Sequence, residues 1–134
     1  MTASEIEMLF RAMTSDEDGR PTVDASARTL GARPLIDVPG DASDAVDPGT
    51  GGMSVSIGVP DGLPAHRRPA GFGGSGVDPV FAIDVAELGP DLHWRADQDG
   101  PSGHGFVEPV RRMAFNDYQQ ALWATRSRWH RVDP

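Results

Sequence analysis

The chain is organised around Asp47-Pro-Gly-Thr-Gly-Gly-Met-Ser-Val-Ser-Ile57, where a turn-forming run passes directly into an alternating run. Gly51 and Gly52 permit backbone angles that bring a main chain close against a ligand. The alternation predicts a strand with Ser54 and Ser56 on one face and apolar side chains on the other. The Ser54 hydroxyl lies close to two glycines that have no side chains, which indicates a ligand pocket at the start of this strand.

Alternating apolar residues predict further strands along the chain. The predicted strands cover residues 53–59, 79–85, 91–95 and 104–109. Residues 5–13 also alternate as a strand does. However, Ser4 and Glu7 fit the capping box that begins a helix, so the pattern alone leaves both structures open for this segment.

The C-terminal part of the chain has the strongest helical pattern. Asn116 is a suitable N-cap, and Asp117 complements the helix dipole. Spacings of four, three and four residues then place on one face Tyr118, Leu122, Thr125 and Trp129, which indicates packing against a core. Strands, loops and then a helix within 134 residues predict a single α+β domain over residues 1–134, with a mainly antiparallel sheet.

Two long segments lack a clear periodic pattern. Segment 20–52 is acidic and rich in glycine and proline, and we expect loop there apart from a short helix within 23–30. Segment 60–76 contains Gly71-Phe-Gly-Gly-Ser-Gly76, which matches the dinucleotide-binding pattern G-x-G-x-x-G. That fingerprint requires a strand before it and a helix after it. Proline-rich sequence precedes the match and Asp78-Pro79 follows at once, so we reject the fingerprint here.

Composition argues against several classes of function. The net charge is −8 and every basic residue is arginine, so the chain repels a phosphate backbone and nucleic acid is not an expected partner. The absence of cysteine excludes disulfides and thiolate chemistry. No run approaches the ~18 apolar residues of a membrane span, and no signal peptide is recognisable. We therefore expect a cytoplasmic protein, with export by a route that reads no cleaved signal left open.

Metal and serine-hydrolase chemistry are not indicated. No pair among the four histidines has the i, i+4 spacing of a helical metal site, and no cysteine assists them. No G-x-S-x-G elbow surrounds Ser54 or Ser75. A local arginine patch could bind a small anion, because the planar guanidinium fork matches an oxyanion.

Three blocks, in the same order, resemble the type VI secretion exported effector two ("Tse-two") cytotoxins, which look like ADP-ribosyltransferases. The first block is Leu9-Phe-Arg-Ala-Met13, and the second is Thr50-Gly-Gly-Met-Ser-Val55. The third begins at His104, runs through Glu108-Pro109 to Met113, and continues into the helical stripe. Segments 14–46 and 60–76 lie outside the resemblance.

The resemblance implies a split, twisted sheet of the ADP-ribosyltransferase kind and makes residues 5–13 a strand. It implies NAD as the cofactor, with Arg11 on a phosphate or ribose and the pair Gly51 and Gly52 beside the ligand. Ser54 would hold the nicotinamide ribose. His104 would project into the same cleft, where an imidazole binds ribose or moves a proton.

The implied reaction is loss of nicotinamide through an oxocarbenium-like state, followed by transfer of ADP-ribose to a macromolecular or small-molecule acceptor. Such a state builds positive charge on the sugar, so a nearby carboxylate would stabilise it. Glu108 is the candidate by its chemistry, because a residue four positions after His104 on one strand faces the same way.

Two alternatives remain open from the sequence. An NAD glycohydrolase would use water in place of the acceptor. A non-enzymatic binding module would keep the fold alone, and Met53, which stands where the toxin has a threonine, motivates that alternative. A toxin of this kind also implies a cognate immunity protein that covers its cleft.

Overall fold

The architecture is an antiparallel sheet with one α-helix packed on it. A computed structural model describes residues 7–101 and 103–134. The strands are β1 (Met8–Ala12), β2 (Ala45–Val46), β3 (Met53–Ile57), β4 (Val80–Asp84), β5 (Leu92–Ala96), β6 (His104–Pro109), β7 (Met113–Ala114) and β8 (His130–Val132), and helix α1 spans Phe115–Ala124. Six strands form one sheet in the order β5-β6-β3-β1-β4-β8, and β2 pairs with β7 separately. These pairings are antiparallel, which confirms the α+β class.

Alternation along the strands gives the large sheet two differently covered faces. Leu9, Val55 and Val107 lie in the main core, together with Tyr118 and Leu122 of α1. The opposite face carries a smaller cluster that includes Phe10, Ala12, Leu63, Val80 and Ala82. Burying one large apolar side chain contributes about 1.5–3 kcal/mol, so the helix-covered face is the main source of stability.

The strand predictions are confirmed to within two residues at each end. Predicted segments 53–59, 79–85, 91–95 and 104–109 are β3, β4, β5 and β6. The open choice for residues 5–13 is decided in favour of a strand, β1, while Ser4 lies outside the described residues. Because β1 lies between β3 and β4 in the sheet, neighbouring strands pair with both of its edges.

Some local predictions are wrong. Helix α1 begins at Phe115, whose N–H donates to the main-chain oxygen of Asp44 at 3.0 Å, so a tertiary contact replaces the expected Asn116 cap. The described chain has no helix within 23–30, because this segment bends back on itself and Leu30 N–H donates to Thr22 O at 2.8 Å. Strand β8 was not predicted, because three residues are too few to display an alternation.

Polar contacts hold residues 14–52, the N-terminal long segment, against the rest of the fold. Arg28 makes a bidentate ion pair with Asp78, in which both N–O distances are 2.7 Å. Arg126 bridges Asp16 and Asp18 at 3.0 and 2.7 Å. The segment therefore has a defined course without forming regular structure over most of its length.

Segment 60–76 forms a loop, as predicted. In the described chain the glycine run 71–76 begins within a single 3₁₀ turn, Ala70–Phe72, with neither a strand before it nor a helix after it, so rejection of the dinucleotide fingerprint is confirmed. Arg68 holds the loop by donating from Nε to Leu63 O and from Nη1 to Phe72 O, at 2.9 and 3.0 Å.

Over residues 7–101 and 103–134, no helix is long and apolar enough to cross a membrane.

Candidate functional site

A cavity of about 210 Å³ is lined by Arg11 of β1, Ser54 of β3 and His104 of β6. It lies where the central sheet is incomplete. Pairing between β1 and β3 joins only Leu9 to Ile57 and Phe10 to Ser56, although both strands continue beyond these residues. The cavity therefore occupies the gap between two strands that cease to exchange hydrogen bonds.

Arg11 closes one side of this gap with its guanidinium, and the residue as a whole is only 5% exposed. Its Nη1 donates to Ser54 O at 2.7 Å, while Nε and Nη2 donate to Thr29 O at 3.0 and 2.9 Å. Nη2 also donates to Ser26 O at 3.1 Å. One Nη1 N–H is left without an acceptor among the described residues, so most of the donor capacity of Arg11 serves the fold itself.

The charge of Arg11 is maintained without a direct carboxylate partner among the described residues. Burial lowers the pKa of Arg11 to about 10, and the nearby carboxylate of Asp37 acts in the opposite direction. Arg11 therefore remains a cation at neutral pH and gives the cavity a positive wall.

Ser54 has the orientation that alternation predicts. Its side chain lies on the sheet face opposite Met53 and Val55, which belong to the main core. The Ser54 Oγ makes no hydrogen bond to the described residues, whereas the buried Ser56 donates its Oγ proton to Val59 O at 2.5 Å. Ser54 is therefore the β3 hydroxyl that is available to a ligand.

His104 forms a pair with Asp97, which lies just after β5. The His104 Nδ1 to Asp97 Oδ2 distance is 2.7 Å, and the Phe106 ring contacts the imidazole edge-on with its centroid 5.0 Å away. The hydrogen bond from His104 lowers the pKa of Asp97, which keeps this carboxylate ionised. No local pattern in the sequence indicates this contact, because the two residues meet only when β5 pairs with β6.

Glu108 lies outside the cavity. It faces the same way as His104 on β6 but is four residues further along, which separates their Cα atoms by roughly 13 Å. The residue is 2% exposed, and its carboxylate accepts from His93 Nε2 at 2.6 Å, Gly49 N–H at 2.8 Å and Arg95 Nε at 3.0 Å. Burial raises the pKa of Glu108, but these three donors outweigh it and lower the pKa overall.

Gly51 and Gly52 pack against the protein itself and do not line the cavity. A Cβ on Gly51 would lie 2.3 Å from Asp37 O, and a Cβ on Gly52 would lie 2.4 Å from Val107 O. Tyr118 reaches the same place from α1, where its hydroxyl accepts from Met53 N–H and donates to Val107 O. The glycine pair therefore permits close packing of β3 on its neighbours.

Four further lining residues with ionisable side chains come from loops and were missed as site residues: Arg33, Asp37, His66 and Arg67. Arg33 and Asp37 form a two-pronged pair within one loop, so their charges cancel. The adjacent pair Arg67-Arg68 was the available signal in the sequence. Because Arg68 holds its own loop, Arg67 is the member of the pair that reaches the cavity.

The cavity is therefore cationic in an acidic protein. Arg11 and Arg67 are not balanced by any lining carboxylate other than Asp37, which already pairs with Arg33. Among residues 7–101 and 103–134, no group of three or more potential metal-ligating side chains converges.

Comparison with protein-family models, curated proteins and solved structures finds no match for the chain.

Proposed function

We propose that the chain is a cytotoxic, ADP-ribosyltransferase-like effector that binds NAD in this cavity and transfers ADP-ribose to an intracellular acceptor. The observation that carries the proposal is the meeting of Arg11, Ser54 and His104 on one cavity, although 93 positions separate the first from the last. The interrupted pairing of β1 with β3 also fits the split sheet that the resemblance implies.

The residues around the cavity fit part of a dinucleotide. Its volume of about 210 Å³ is below the ~300–1,000 Å³ typical of pockets that enclose a drug-sized ligand. We therefore assign the nicotinamide ribose to Ser54 and His104, which offer a free hydroxyl and an imidazole. Arg67 and the remaining N–H of Arg11 would hold phosphate, because guanidinium donors suit an oxyanion.

NAD would supply a sugar carbon with a departing nicotinamide. The protein would then have to stabilise positive charge on the sugar and activate the acceptor. Glu108 is poorly placed for either task, because it lies outside the cavity and already accepts three hydrogen bonds. Asp37 is paired with Arg33, which leaves the carboxylate of Asp97, hydrogen-bonded to the lining residue His104, as the acidic group that can act on the site.

A second candidate function is a non-enzymatic module that binds an anionic ligand. Two observations favour it: Arg11 gives most of its donors to main-chain oxygens, and Glu108 is held away from the cavity. This candidate shares NAD binding with the first but lacks nicotinamide release. Hydrolysis to free ADP-ribose remains the third outcome.

Calorimetry and chromatography separate these functions. Wild-type protein should bind NAD, and Ser54→Ala or Arg67→Ala should weaken binding about tenfold, the loss expected for one hydrogen bond to a ligand. The matched controls are Ser43→Ala, an exposed serine, and Arg111→Ala, whose side chain is 63% exposed and pairs with Asp91. Absence of NAD binding to the wild type would contradict the proposal.

Products then identify the reaction. Released nicotinamide together with ADP-ribosylated cell protein, detected by mass spectrometry, supports the transferase. Free ADP-ribose without labelled protein supports the glycohydrolase, and binding without nicotinamide release supports the non-enzymatic module. Expression inside bacteria should arrest growth for the transferase, and Ser54→Ala should relieve the arrest.

An immunity protein is the partner that this proposal implies. Leu35 and Ile36 are 70% and 68% exposed, and they lie in the same loop as the lining residues Arg33 and Asp37. Two adjacent exposed aliphatic side chains beside a cavity suit a protein contact that would also cover its mouth. Co-expression with the neighbouring gene product should yield a complex, and this complex should not bind NAD because the cavity is covered. Leu35→Asp should weaken the complex.

A further inference from the structure

We propose that Asp97 is a positioning residue, which holds His104 so that the imidazole Nε2 accepts the proton of the attacking hydroxyl. The inference rests on the function proposed above and names the atom that moves the proton in the same site. Asp97 acts through His104 and does not itself line the cavity.

The geometry determines which nitrogen carries the proton. Asp97 Oδ2 lies 2.7 Å from His104 Nδ1, and an ionised carboxylate only accepts hydrogen bonds, so Nδ1 carries the hydrogen. In the neutral imidazole the lone pair is then on Nε2. Nε2 makes no hydrogen bond to residues 7–101 and 103–134, and His104 lines the cavity, so this lone pair is available to a ligand.

Neighbouring contacts hold the pair in place. Asp97 N–H donates to His104 O at 2.9 Å, which ties the two residues together through the backbone as well as the side chains. The Phe106 ring contacts the imidazole edge-on, and the Arg95 guanidinium carbon lies 5.0 Å from the centroid of the same ring. The side chains of His104 and Asp97 are 21% and 20% exposed, so both are partly shielded from solvent.

The other charged groups at the cavity cannot serve the same purpose. Arg11, Arg33 and Arg67 are donors without a lone pair, and Asp37 is engaged by Arg33. His66 also lines the cavity, but the described residues include no carboxylate in contact with it. His104 therefore combines a free nitrogen with a carboxylate that stabilises the protonated ring.

His104 Nε2 takes the proton from the hydroxyl of the acceptor, or from water, as the oxygen forms a bond to the ribose carbon. The bond between that carbon and nicotinamide breaks, and its electron pair leaves with nicotinamide. Asp97 stabilises the resulting imidazolium through the Nδ1–H hydrogen bond, without itself taking the proton.

The chain contains a matched histidine outside the cavity. His93 pairs with Glu108 through Nε2 at 2.6 Å, and its side chain is 45% exposed. Its neutral form should therefore carry the hydrogen on Nε2, opposite to His104. Both rings are observed in one spectrum, so His93 serves as an internal control.

The first test is the tautomer of the free protein, read from the ¹⁵N shifts of the two imidazoles at a pH where both are neutral. We expect hydrogen on Nδ1 of His104 in the wild type, a shift towards Nε2–H in Asp97→Asn, and no change at His93. Hydrogen on Nε2 of His104 in the wild type, or an Asp97→Asn spectrum equal to the wild type, would overturn the inference. This result does not depend on NAD.

The second test is steady-state release of nicotinamide from NAD. His104→Gln and Asp97→Asn should each lower kcat about 10²-fold or more. KM should change little in Asp97→Asn, which keeps the ribose contact of His104, and Asp97→Glu should recover part of the rate. His93→Gln is the control and should keep the wild-type rate. Full activity of Asp97→Asn would overturn the inference. A wild type that never cleaves NAD would instead overturn the proposed function, whatever the tautomers are.

Discussion

The guanidinium of Arg11 donates to the main-chain oxygen of Ser54 across 2.7 Å, at the place where β1 and β3 have stopped pairing. The Arg11 side chain thus supplies a hydrogen bond between two central strands where their main-chain hydrogen bonds are absent. Arg11 also donates hydrogen bonds to the main-chain oxygens of Thr29 and Ser26, which lie in the N-terminal long segment. Arg11 is therefore both a wall of the cavity and the connection between the sheet and that segment.

Replacing Arg11 should destabilise the whole fold. Arg11→Ala leaves the buried oxygen of Thr29 and the partly buried oxygen of Ser54 without their Arg11 donors, and we expect a loss of ~3 kcal/mol or more in the free energy of unfolding, measured by urea titration. Arg111→Ala, at an exposed ion pair, should change that free energy by less than about 1 kcal/mol. An Arg11→Ala protein as stable as the wild type would show that these contacts contribute little.

Removing the Tyr118 hydroxyl should weaken the junction of β3 and β6. In Tyr118→Phe, Met53 N–H loses its acceptor and Val107 O loses its donor inside the core, which should cost about 2 kcal/mol of unfolding free energy. Thermal and urea unfolding both measure this loss. Ser43→Ala removes a hydroxyl from an exposed turn and should be nearly neutral.

Gly52→Ala should be far more damaging than Gly19→Ala. A Cβ on Gly52 would lie 2.4 Å from Val107 O, whereas a Cβ on Gly19 would meet nothing within 4 Å. Both glycines have positive φ, at 153° and 79°, so backbone strain enters both variants. We expect a loss of about 1 kcal/mol for Gly19→Ala and ~3 kcal/mol for Gly52→Ala, where overpacking is added. Equal losses in urea titrations would contradict the close approach.

Glu108→Gln should remove an acid-dependent part of stability. The pKa of Glu108 is lowered from 4.5 in the folded state, so its contribution is complete above that value and is lost as pH falls through the folded pKa. The variant should therefore be less stable than the wild type at pH 7, and the difference should shrink below pH ~4. Unfolding curves at a series of pH values measure this. Glu87→Gln, at an exposed carboxylate, should follow the wild-type curve.

Leu35→Gly should stabilise the protein. Leu35 has φ 68°, a left-handed conformation that costs a residue with a Cβ about 1–2 kcal/mol, and its side chain is 70% exposed, so little packing is lost. After the greater chain entropy of glycine, we expect a gain of up to about 1 kcal/mol in unfolding free energy. Ile36→Gly is the matched control, because Ile36 is equally exposed without positive φ, and it should destabilise slightly. A loss in both variants would show that Leu35 is not strained.

Local features of the fold could be predicted where the signal is carried by adjacent residues. The alternation at Met53–Ile57 gave both the strand and the correct faces of Ser54 and Val55, because a strand repeats every two residues. The Asn116 cap failed for the opposite reason. The N–H of Phe115 finds its acceptor on Asp44, 71 positions earlier in the chain, and no local pattern reports such a contact.

The candidate site divides in the same way. The resemblance to the toxin family implies Arg11, Ser54 and His104 as site residues, and the structure brings them to one cavity. Asp97 and Arg67 were not named as site residues, since the role of each depends on what lies beside it. Glu108 shares a face with His104, as alternation requires. Because β6 pairs with β5, however, the Glu108 carboxylate forms its hydrogen bonds with His93 and Arg95 instead.

The sequence by itself determined the α+β class, strands β3 to β6 and their faces, the C-terminal helix, and the lack of thiol chemistry, because each follows from composition or from spacing between near neighbours. Only the tertiary structure decided that pairing between β1 and β3 stops short, that Arg11 spans the gap, and that Asp97 meets His104. Strand register and loop course depend on the packing of the whole chain, and they decide which distant side chains share a cavity.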